Sequence, residues 1–425
     1  MKCCVITLGC KVNSYESEYI SESFRLKGYD IVSVEEKPDV VIVNTCTVTN
    51  QSDAKSRKII RQVRKTIPNT ILVVCGCSSE HHKDKIVDVD IDILIGNYYK
   101  SKIVDLVEQY KIDHKKINTF VDMNNLKFED MKINNFLNKT RAFVKIQDGC
   151  NNYCSYCIIP YMRGNIRSKD IDVAFKEIEC LVNRGYQEIV LTGIHTGSYG
   201  SGMNYDLVDL IRKISKLDNL KRIRISSIEI TELNDRFIEE LKLNNKICDH
   251  LHIPIQAGSD HILKLMNRKY NIEEFKNIIN KIRLVRPNIN ITTDLIVGFP
   301  NETDDDFNET KSNLIDIGFS KIHTFPYSIR DNTPASKMKQ VKDSIKKSRV
   351  NEILELSDLL ENRYYNKYLN KQVNVLIEEV KDNISLGHTD NYIKVIIDKR
   401  LDNNKFYNVV INDVVKTDVK GIYKD

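Results

Sequence analysis

A chain of 425 residues is too long for one hydrophobic core, which rarely grows past about 250–300 residues, so two or three domains are expected. Its 41% hydrophobic and 29% charged residues supply cores and a wet surface and argue against disorder. A formal net charge of +5 is too small to mark a general polyanion binder. No segment reaches the roughly 18 uninterrupted apolar residues of a membrane helix, so a soluble, cytoplasmic protein with no membrane partner is expected. In that reducing compartment the 11 cysteines read as free or metal-bound rather than as a disulfide framework.

From the N-terminus the pattern alternates. "CCVITLG" precedes a helical stretch over 14–27, "DVVIVNT" one over 51–67, "TILVVCG" a polar helix, and "IDILIG" a helix over 98–110. Apolar strands alternating with helices predict a parallel sheet covered on both faces, in a first domain over 1–110. Cys10, Cys46 and Cys77 each follow a strand, in "LGCKVN", "NTCTVT" and "CGCSSE". Loops at the carboxyl ends of parallel strands share one edge, so three thiols distant in sequence can meet there in a metal site. Cys75 ends a strand and should face the core; Cys3, Cys4, Cys180 and Cys248 lie in apolar patterns and read as core.

Residues 111–138 are rich in Lys, Asn and Asp without a period and read as a connector. A second domain over 139–367 contains six candidate strands, "AFVKIQD", "QEIVLTG", "KRIRISS", "CDHLHIPI", "NITTDLIVG" and "SKIHTFPY", with helices between them. Repeated β/α units of this kind predict a partial (βα)6 barrel, with its chemistry at the carboxyl ends of the strands. Those ends carry Asp148, Cys150, Gly193, His195, Ser226, Glu229, His252, Gln256, Asp294, His323 and Tyr327.

The first of these ends opens into "GCNNYCSYC", which places Cys150, Cys154 and Cys157 in a C-x3-C-x2-C spacing. Zinc asks for a fourth ligand, and the nearest histidines, His114 and His195, are far from the customary spacing. A cubane iron–sulfur cluster can be held by three thiolates with its fourth iron left open. The remaining residues, 368–425, hold the β-rich segments "KQVNVLIEEV", "NYIKVIID" and "KFYNVVINDVV" and suggest a small barrel of the oligonucleotide-binding type. With nine basic and nine acidic residues it is not a basic clamp. Basic density lies instead in "AKSRKIIRQVRK" and over 337–349, with six basic residues each.

The series "IQDGCNNYCSYCIIPYMRGNIRS", "LTGIHTGSYG", "RISSIE", "HLHIPIQAGSD", "TTDLIVGFPNET" and "HTFPYSIRDNTPASKM", with "LGCKVNSYES" and "NTCTVTNQSD" before it, resembles the radical S-adenosylmethionine (SAM) methylthiotransferases. Ala257 and Asn301 depart from the usual wording, where Ser and Gly are commoner; both are loop positions. The resemblance implies SAM and two 4Fe–4S clusters. Cys150, Cys154 and Cys157 would hold the cluster that binds SAM, and Cys10, Cys46 and Cys77 an auxiliary cluster that carries the sulfur to be transferred. It further points to Thr192, Gly193, Ser226, Ser227, Glu229 and Gln256 as SAM contacts, and to a TRAM-like role for the C-terminal barrel. An electron donor such as a flavodoxin or ferredoxin is implied, and a monomer is expected. The stretches "DGCNNYCSYCIIPYMRG" and "LGHTDNYIKV" look most like the branch acting on N6-threonylcarbamoyladenosine at position 37, in the anticodon stem-loop of tRNA. Branches acting on isopentenyladenosine or on an aspartate of a ribosomal protein are the alternatives. Two other readings use the same cysteines: a non-enzymatic, metal-stabilised RNA-binding protein, and a single-cluster SAM enzyme.

Overall fold

Strand β3 (Val40–Thr45) is buried along its whole length, as expected of a β-branched run in the middle of a parallel sheet covered on both faces. The structure, a computed structural model, describes residues 1–136 and 139–423; positions 137–138 of the expected connector and 424–425 of the expected C-terminal barrel lie outside the described residues. Around β3 the first unit runs β1 (Lys2–Thr7), α1 (Lys11–Leu26), β2 (Asp30–Ile31), β3, α2 (Asn50–Thr66), β4 (Ile71–Gly76), α3 (Cys77–His82), β5 (Ile93–Ile95), α4 (Ile103–Asp113) and β6 (Ile117–Thr119). All neighbours pair in parallel, in the order β2-β1-β3-β4-β5-β6. One face packs Ile42, Val73 and Cys75 under Phe24 of α1 and Val107 of α4. The other packs Val41, Val43 and Val74 under Ile60 and Val63 of α2. Alternate residues of each strand thus feed two separate cores.

The sheet extends past the expected limit at residue 110. β6 pairs with β5 inside the stretch read as a connector. A three-residue edge strand of mostly polar sequence shows no period, which is why the pattern missed it.

The six strands of the second unit form as expected. They are β7 (Ala142–Lys145), β10 (Glu188–Thr192), β11 (Arg222–Ile225), β12 (His250–His252), β13 (Asn290–Val297) and β14 (Lys321–Pro326). Each half of the barrel is a parallel three-stranded sheet, β7-β10-β11 and β12-β13-β14, and a bridge between Ile223 and Ile247 spans the seam. Around them lie α5 (Ile159–Arg163), α6 (Ile171–Asn183), α7 (Leu207–Ile214), α8 (Asp235–Leu243), α9 (Asp260–Leu265), α10 (Ile272–Val285) and α11 (Asp304–Ile317). A short hairpin of β8 (Gln147–Asp148) and β9 (Arg167–Ser168) brackets the three-cysteine loop.

Helix α12 (Asp343–Asn366) packs along β14 and leads into a closed barrel of β15 (Gln372–Lys381), β16 (Ile384–Thr389), β17 (Lys394–Ile397), β18 (Phe406–Val415) and β19 (Asp418–Tyr423). This small barrel docks at the amino ends of the central strands. Arg222 Nη1 donates to the His388 carbonyl (3.0 Å), Arg224 Nη1 to that of Asp390 (3.0 Å), and Asn290 Nδ2 to that of Asn391 (2.6 Å). No helix among the described residues is long and apolar enough to cross a membrane.

Candidate active site

Cys10, Cys46 and Cys77 stand at the carboxyl ends of β1, β3 and β4. Cys10 is the N-cap of α1 but makes no capping bond with its side chain; its thiol instead donates to Asn13 Oδ1 at 4.0 Å. Cys77 opens α3, while Cys75 lies wholly inside the sheet's core. The Cys10 and Cys46 loops meet closely. Gly9 has φ +98°, and a Cβ there would fall 2.7 Å from the Cys46 sulfur, so only glycine fits. Burial, with Cys77 and Cys10 nearby, pushes the Cys46 thiol up to about 11. Asn13 ties the loops together, donating to the carbonyls of Leu8 (2.7 Å) and Thr45 (3.0 Å). Asn97 accepts from the Cys77 thiol at 3.7 Å and donates to the Met162 carbonyl at 2.9 Å.

Cys150, Cys154 and Cys157 share the loop between β8 and α5. The amide of Cys157 donates to the Cys154 carbonyl (2.9 Å), and Ser155 anchors the loop to the carbonyls of Leu265 and Met266. Arg268 Nη1 donates to the Cys154 sulfur at 3.2 Å, and its Nη2 stands 2.9 Å from Glu229 Oε1. Burial raises the Cys154 thiol and the Arg268 charge opposes it. Burial together with the two neighbouring cysteines pushes Cys157 up to about 12. Burial disfavours a charged His195, but hydrogen bonds to Cys150 and Glu232 outweigh it and raise that imidazole to about 10.

Between the two sets lies a buried network. Glu16 of α1 accepts from Lys145 (2.7 Å), Arg163 (3.0 Å) and Lys100; Asp148 accepts from Lys145 (2.6 Å) and Arg163 (3.0 Å). These cations hold both carboxyls below the usual range against the opposing effect of burial. Arg163 also donates to Asn13 Oδ1 (2.8 Å) and feels the thiols of Cys77 and Cys10. One network therefore fixes the first sheet against the loop that opens the second cysteine set.

A cavity of about 670 Å³ fills the barrel lumen. Cys10 and Lys11 reach it from the first unit, Gly193, Ser226 and Ser227 from the strand ends, and Tyr392 from the C-terminal barrel. In its wall His252 Nε2 stands 3.2 Å from Asp294, and Thr292 Oγ1 lies 3.0 Å from ring nitrogens of both His250 and His252.

The donor chemistry suits two cubane clusters. Each set offers three mutually interacting sulfurs with buried cations close by, Arg163 for the first and Arg268 for the second. Among the described residues no three His, Cys, Asp or Glu side chains converge tightly enough to hold a single metal ion. A cubane does not ask for that, because each thiolate takes its own iron.

Residues 144–314 match the family model of the radical SAM superfamily, and residues 2–96 that of the uncharacterized protein family UPF0004. The chain is 42% identical over 400 residues to the threonylcarbamoyladenosine tRNA methylthiotransferase MtaB of Bacillus subtilis, covering 92% of this chain and 89% of that one. The chain belongs to the radical SAM methylthiotransferases. The MtaB enzyme of Aquifex aeolicus is 35% identical, with 93% and 96% covered. A tRNA-2-methylthio-N(6)-dimethylallyladenosine synthase of Clostridium perfringens is 34% identical, with 88% and 86% covered. In fold, the chain resembles the radical SAM methyltransferase TsrM of Kitasatospora setae at TM-score 0.55 and 13% identity, over 79% of this chain and 76% of that one. Radical SAM methylthiotransferases are enzymes that work with SAM and two 4Fe–4S clusters, so the non-enzymatic reading is set aside.

Of the six residues read as SAM contacts in a radical SAM methylthiotransferase, Gly193, Ser226 and Ser227 line the lumen. Glu229 instead serves the second cysteine loop, bonded to Arg268 and to Asn152 Nδ2 (3.0 Å). Thr192 is buried with its hydroxyl turned to the Val190 carbonyl (3.4 Å). Gln256 takes φ +63° and pairs through its backbone with Asp294 and Ile296. Sequence reasoning missed Arg268 and Lys11. Lys11 was visible beside Cys10, but nothing in "MNRKY" marks Arg268, which meets Cys154 only through folding across 114 positions.

Proposed function

We propose that the protein is a tRNA-modifying enzyme that transfers a methylthio group to C2 of N6-threonylcarbamoyladenosine at position 37. Cys150, Cys154 and Cys157 hold the SAM-binding cluster and Cys10, Cys46 and Cys77 the auxiliary one. Gly193, Ser226 and Ser227 face SAM. With both clusters and SAM bound, the site supplies a 5′-deoxyadenosyl radical and a sulfur for transfer, which suits an adenine C2–H too weakly polarised for general base catalysis.

The observation that carries this reading is the lumen, a single cavity that joins Cys10 to the strand ends Gly193 and Ser226. A base placed there lies beside Cys10 of the first set and against the strand ends Gly193 and Ser226. Much of the wall is apolar, but its charged groups are mainly basic, Lys11, Lys321 and Lys394 against the one carboxylate of Asp294, which gives a carboxylate-bearing substituent a partner that an apolar dimethylallyl group does not need. The names of the Bacillus and Aquifex relatives agree with that substrate.

The RNA backbone meets the exposed Lys55, Lys58, Arg61 and Lys65 of α2, which begins just past the Cys46 loop. The second basic stretch contributes less than its composition suggested. Lys346 and Arg349 are buried, the latter bonded to Glu302 (2.5 Å) and Asp304 (2.7 Å). The enzyme acts as a monomer in the cytoplasm with a flavodoxin or ferredoxin as electron donor. Mass spectrometry of nucleosides from tRNA of cells lacking the gene, and of cells given it back, tests the substrate. Loss and return of 2-methylthio-threonylcarbamoyladenosine is expected, and loss of a 2-methylthio-isopentenyladenosine instead overturns the assignment.

A further inference from the structure

The floor of the lumen is built by the C-terminal barrel, in the stretch "LGHTDNYIKV". The Tyr392 ring is stacked between His250 of β12 (centroids 4.9 Å apart, 25° between planes) and His388 of β16 (4.7 Å, 19°). The guanidinium groups of Arg224 and Arg141 lie 4.7 and 5.3 Å from its centroid. His388 is itself held by Glu378 at 2.9 Å. Two rings and two cations fix Tyr392 at the junction of the central and C-terminal barrels, far more than a surface barrel needs merely to stay attached.

Two ammonium groups open onto the same cavity. Lys11, the first residue of α1, comes from the first unit, and Lys394, the first residue of β17, comes from the C-terminal barrel. Among the described residues neither ammonium group makes a hydrogen bond or a close ion pair, although the charge of Asp294 acts on Lys11 through space. The other charges in the wall are spoken for: Lys321 pairs with Glu361 at 2.9 Å and Asp294 with His252 at 3.2 Å. Two unpartnered cations in a cavity whose only carboxylate is engaged are arranged for an anionic guest.

We propose that Lys11 and Lys394, with Tyr392 as the fixed floor between the units that carry them, form a carboxylate-recognising subsite that selects the threonylcarbamoyl group. The inference rests on the substrate reading above. Threonine joined through its amino nitrogen to a carbamoyl keeps a free carboxylate and a hydroxyl, whereas a dimethylallyl group has neither. The carboxylate forms a charge-assisted pair with the lysines, and an apolar substituent would leave both ammonium groups desolvated and unpaired. The C-terminal barrel thus reads the modification on the base.

The test is binding without turnover. Iron-loaded protein, with SAM and no reductant, is titrated by fluorescence anisotropy with three anticodon stem-loops: one carrying threonylcarbamoyladenosine, one carrying its neutral threoninamide analogue, and one with plain adenosine. The wild-type protein should prefer the carboxylate over the amide by about ten- to a hundred-fold. K394M should lose that preference while binding the plain stem-loop as before, and K11M should do the same. Lys394 stands on the C-terminal barrel, which contains no cysteine, so an unaltered iron content in K394M separates recognition from damage to a cluster, whereas K11M neighbours Cys10. Equal affinity of the wild-type protein for carboxylate and amide, with threonylcarbamoyladenosine still methylthiolated under reduction, overturns the subsite and leaves the substrate assignment standing. Failure to methylthiolate threonylcarbamoyladenosine, with turnover of the isopentenyl base, overturns the assignment itself.

Discussion

Arg330 clamps the loop between β14 and α12 onto the loop that carries Cys46. Its guanidinium donates to Thr47 Oγ1 (2.5 Å), Asp53 Oδ2 (2.6 Å) and Asn50 Oδ1 (2.7 Å), and both Arg330 and Asp53 are 3% exposed. Replacing Arg330 with Ala removes three hydrogen bonds from an ionised donor, of which the one to Asp53 also meets an ionised acceptor. It also leaves the Asp53 carboxylate buried with His82, 3.4 Å away, and Ser78 for company. About 3–5 kcal/mol of local stability should be lost, the range measured for breaking a buried pair. Hydrogen–deuterium exchange reads this locally. Amides over residues 46–53 should exchange roughly 100- to 4,000-fold faster in R330A, since each 1.4 kcal/mol is tenfold. Peptides from the C-terminal barrel should not change. The same variant should keep the iron held by the second cysteine set and lose part of that held by the first. Exchange within about threefold of wild type over residues 46–53 would show that the clamp does not hold this loop.

Replacing Cys46 or Cys154 with Ala should each cut iron from about eight to about four per chain, with matching loss of sulfide, if the two sets hold separate clusters; an unchanged iron content in the Cys46 variant would return the single-cluster reading. Gly9→Ala places a Cβ against the Cys46 sulfur in a left-handed backbone, so its visible absorption should fall toward that of the Cys46 variant although no ligand is removed. Glu16 and Asp148 are held below their usual values, so their contribution to stability is full above about pH 5 and declines as the pH falls below about 4. In Glu16→Gln the midpoint of urea unfolding should drop at pH 7 and vary less between pH 5 and pH 3 than in the wild-type protein; an unchanged slope would show that the carboxylate is not ionised in the folded state.

Local pattern carried much of this fold. The six barrel strands were legible because each is a short apolar run bounded by turn residues, and the cysteines were legible as strand-end residues because a parallel sheet turns sequence order into a shared edge. The C-terminal barrel was only partly legible, with three segments read where five strands close the sheet. The missed strand β16 contains Gly387, which a strand pattern discourages; it is there because a Cβ would fall 2.2 Å from the Leu376 carbonyl oxygen. What no window of sequence could show is docking. Arg268 reaching Cys154, Arg330 reaching Thr47, and Tyr392 entering a lumen walled by strands far earlier in the chain are products of how units pack, and each residue looks ordinary in its own segment.

That division bears on how the chemistry can be separated from the choice of substrate. The cysteine loops are fixed by buried charge, in which Glu16, Asp148, Lys145 and Arg163 each lose solvent and are stable only together. Such a network tolerates little change, because removing one member strands another. The lumen floor is different. Lys394 is exposed to the cavity and holds up no other side chain, while the rings and guanidinium groups behind it keep the floor rigid. On the proposed reading, a substitution at Lys394 should alter what the pocket accepts and leave the iron content unchanged. Changes of specificity within this architecture should concentrate on the C-terminal barrel's inserted edge, and changes there should move binding of the modified base before they move SAM cleavage.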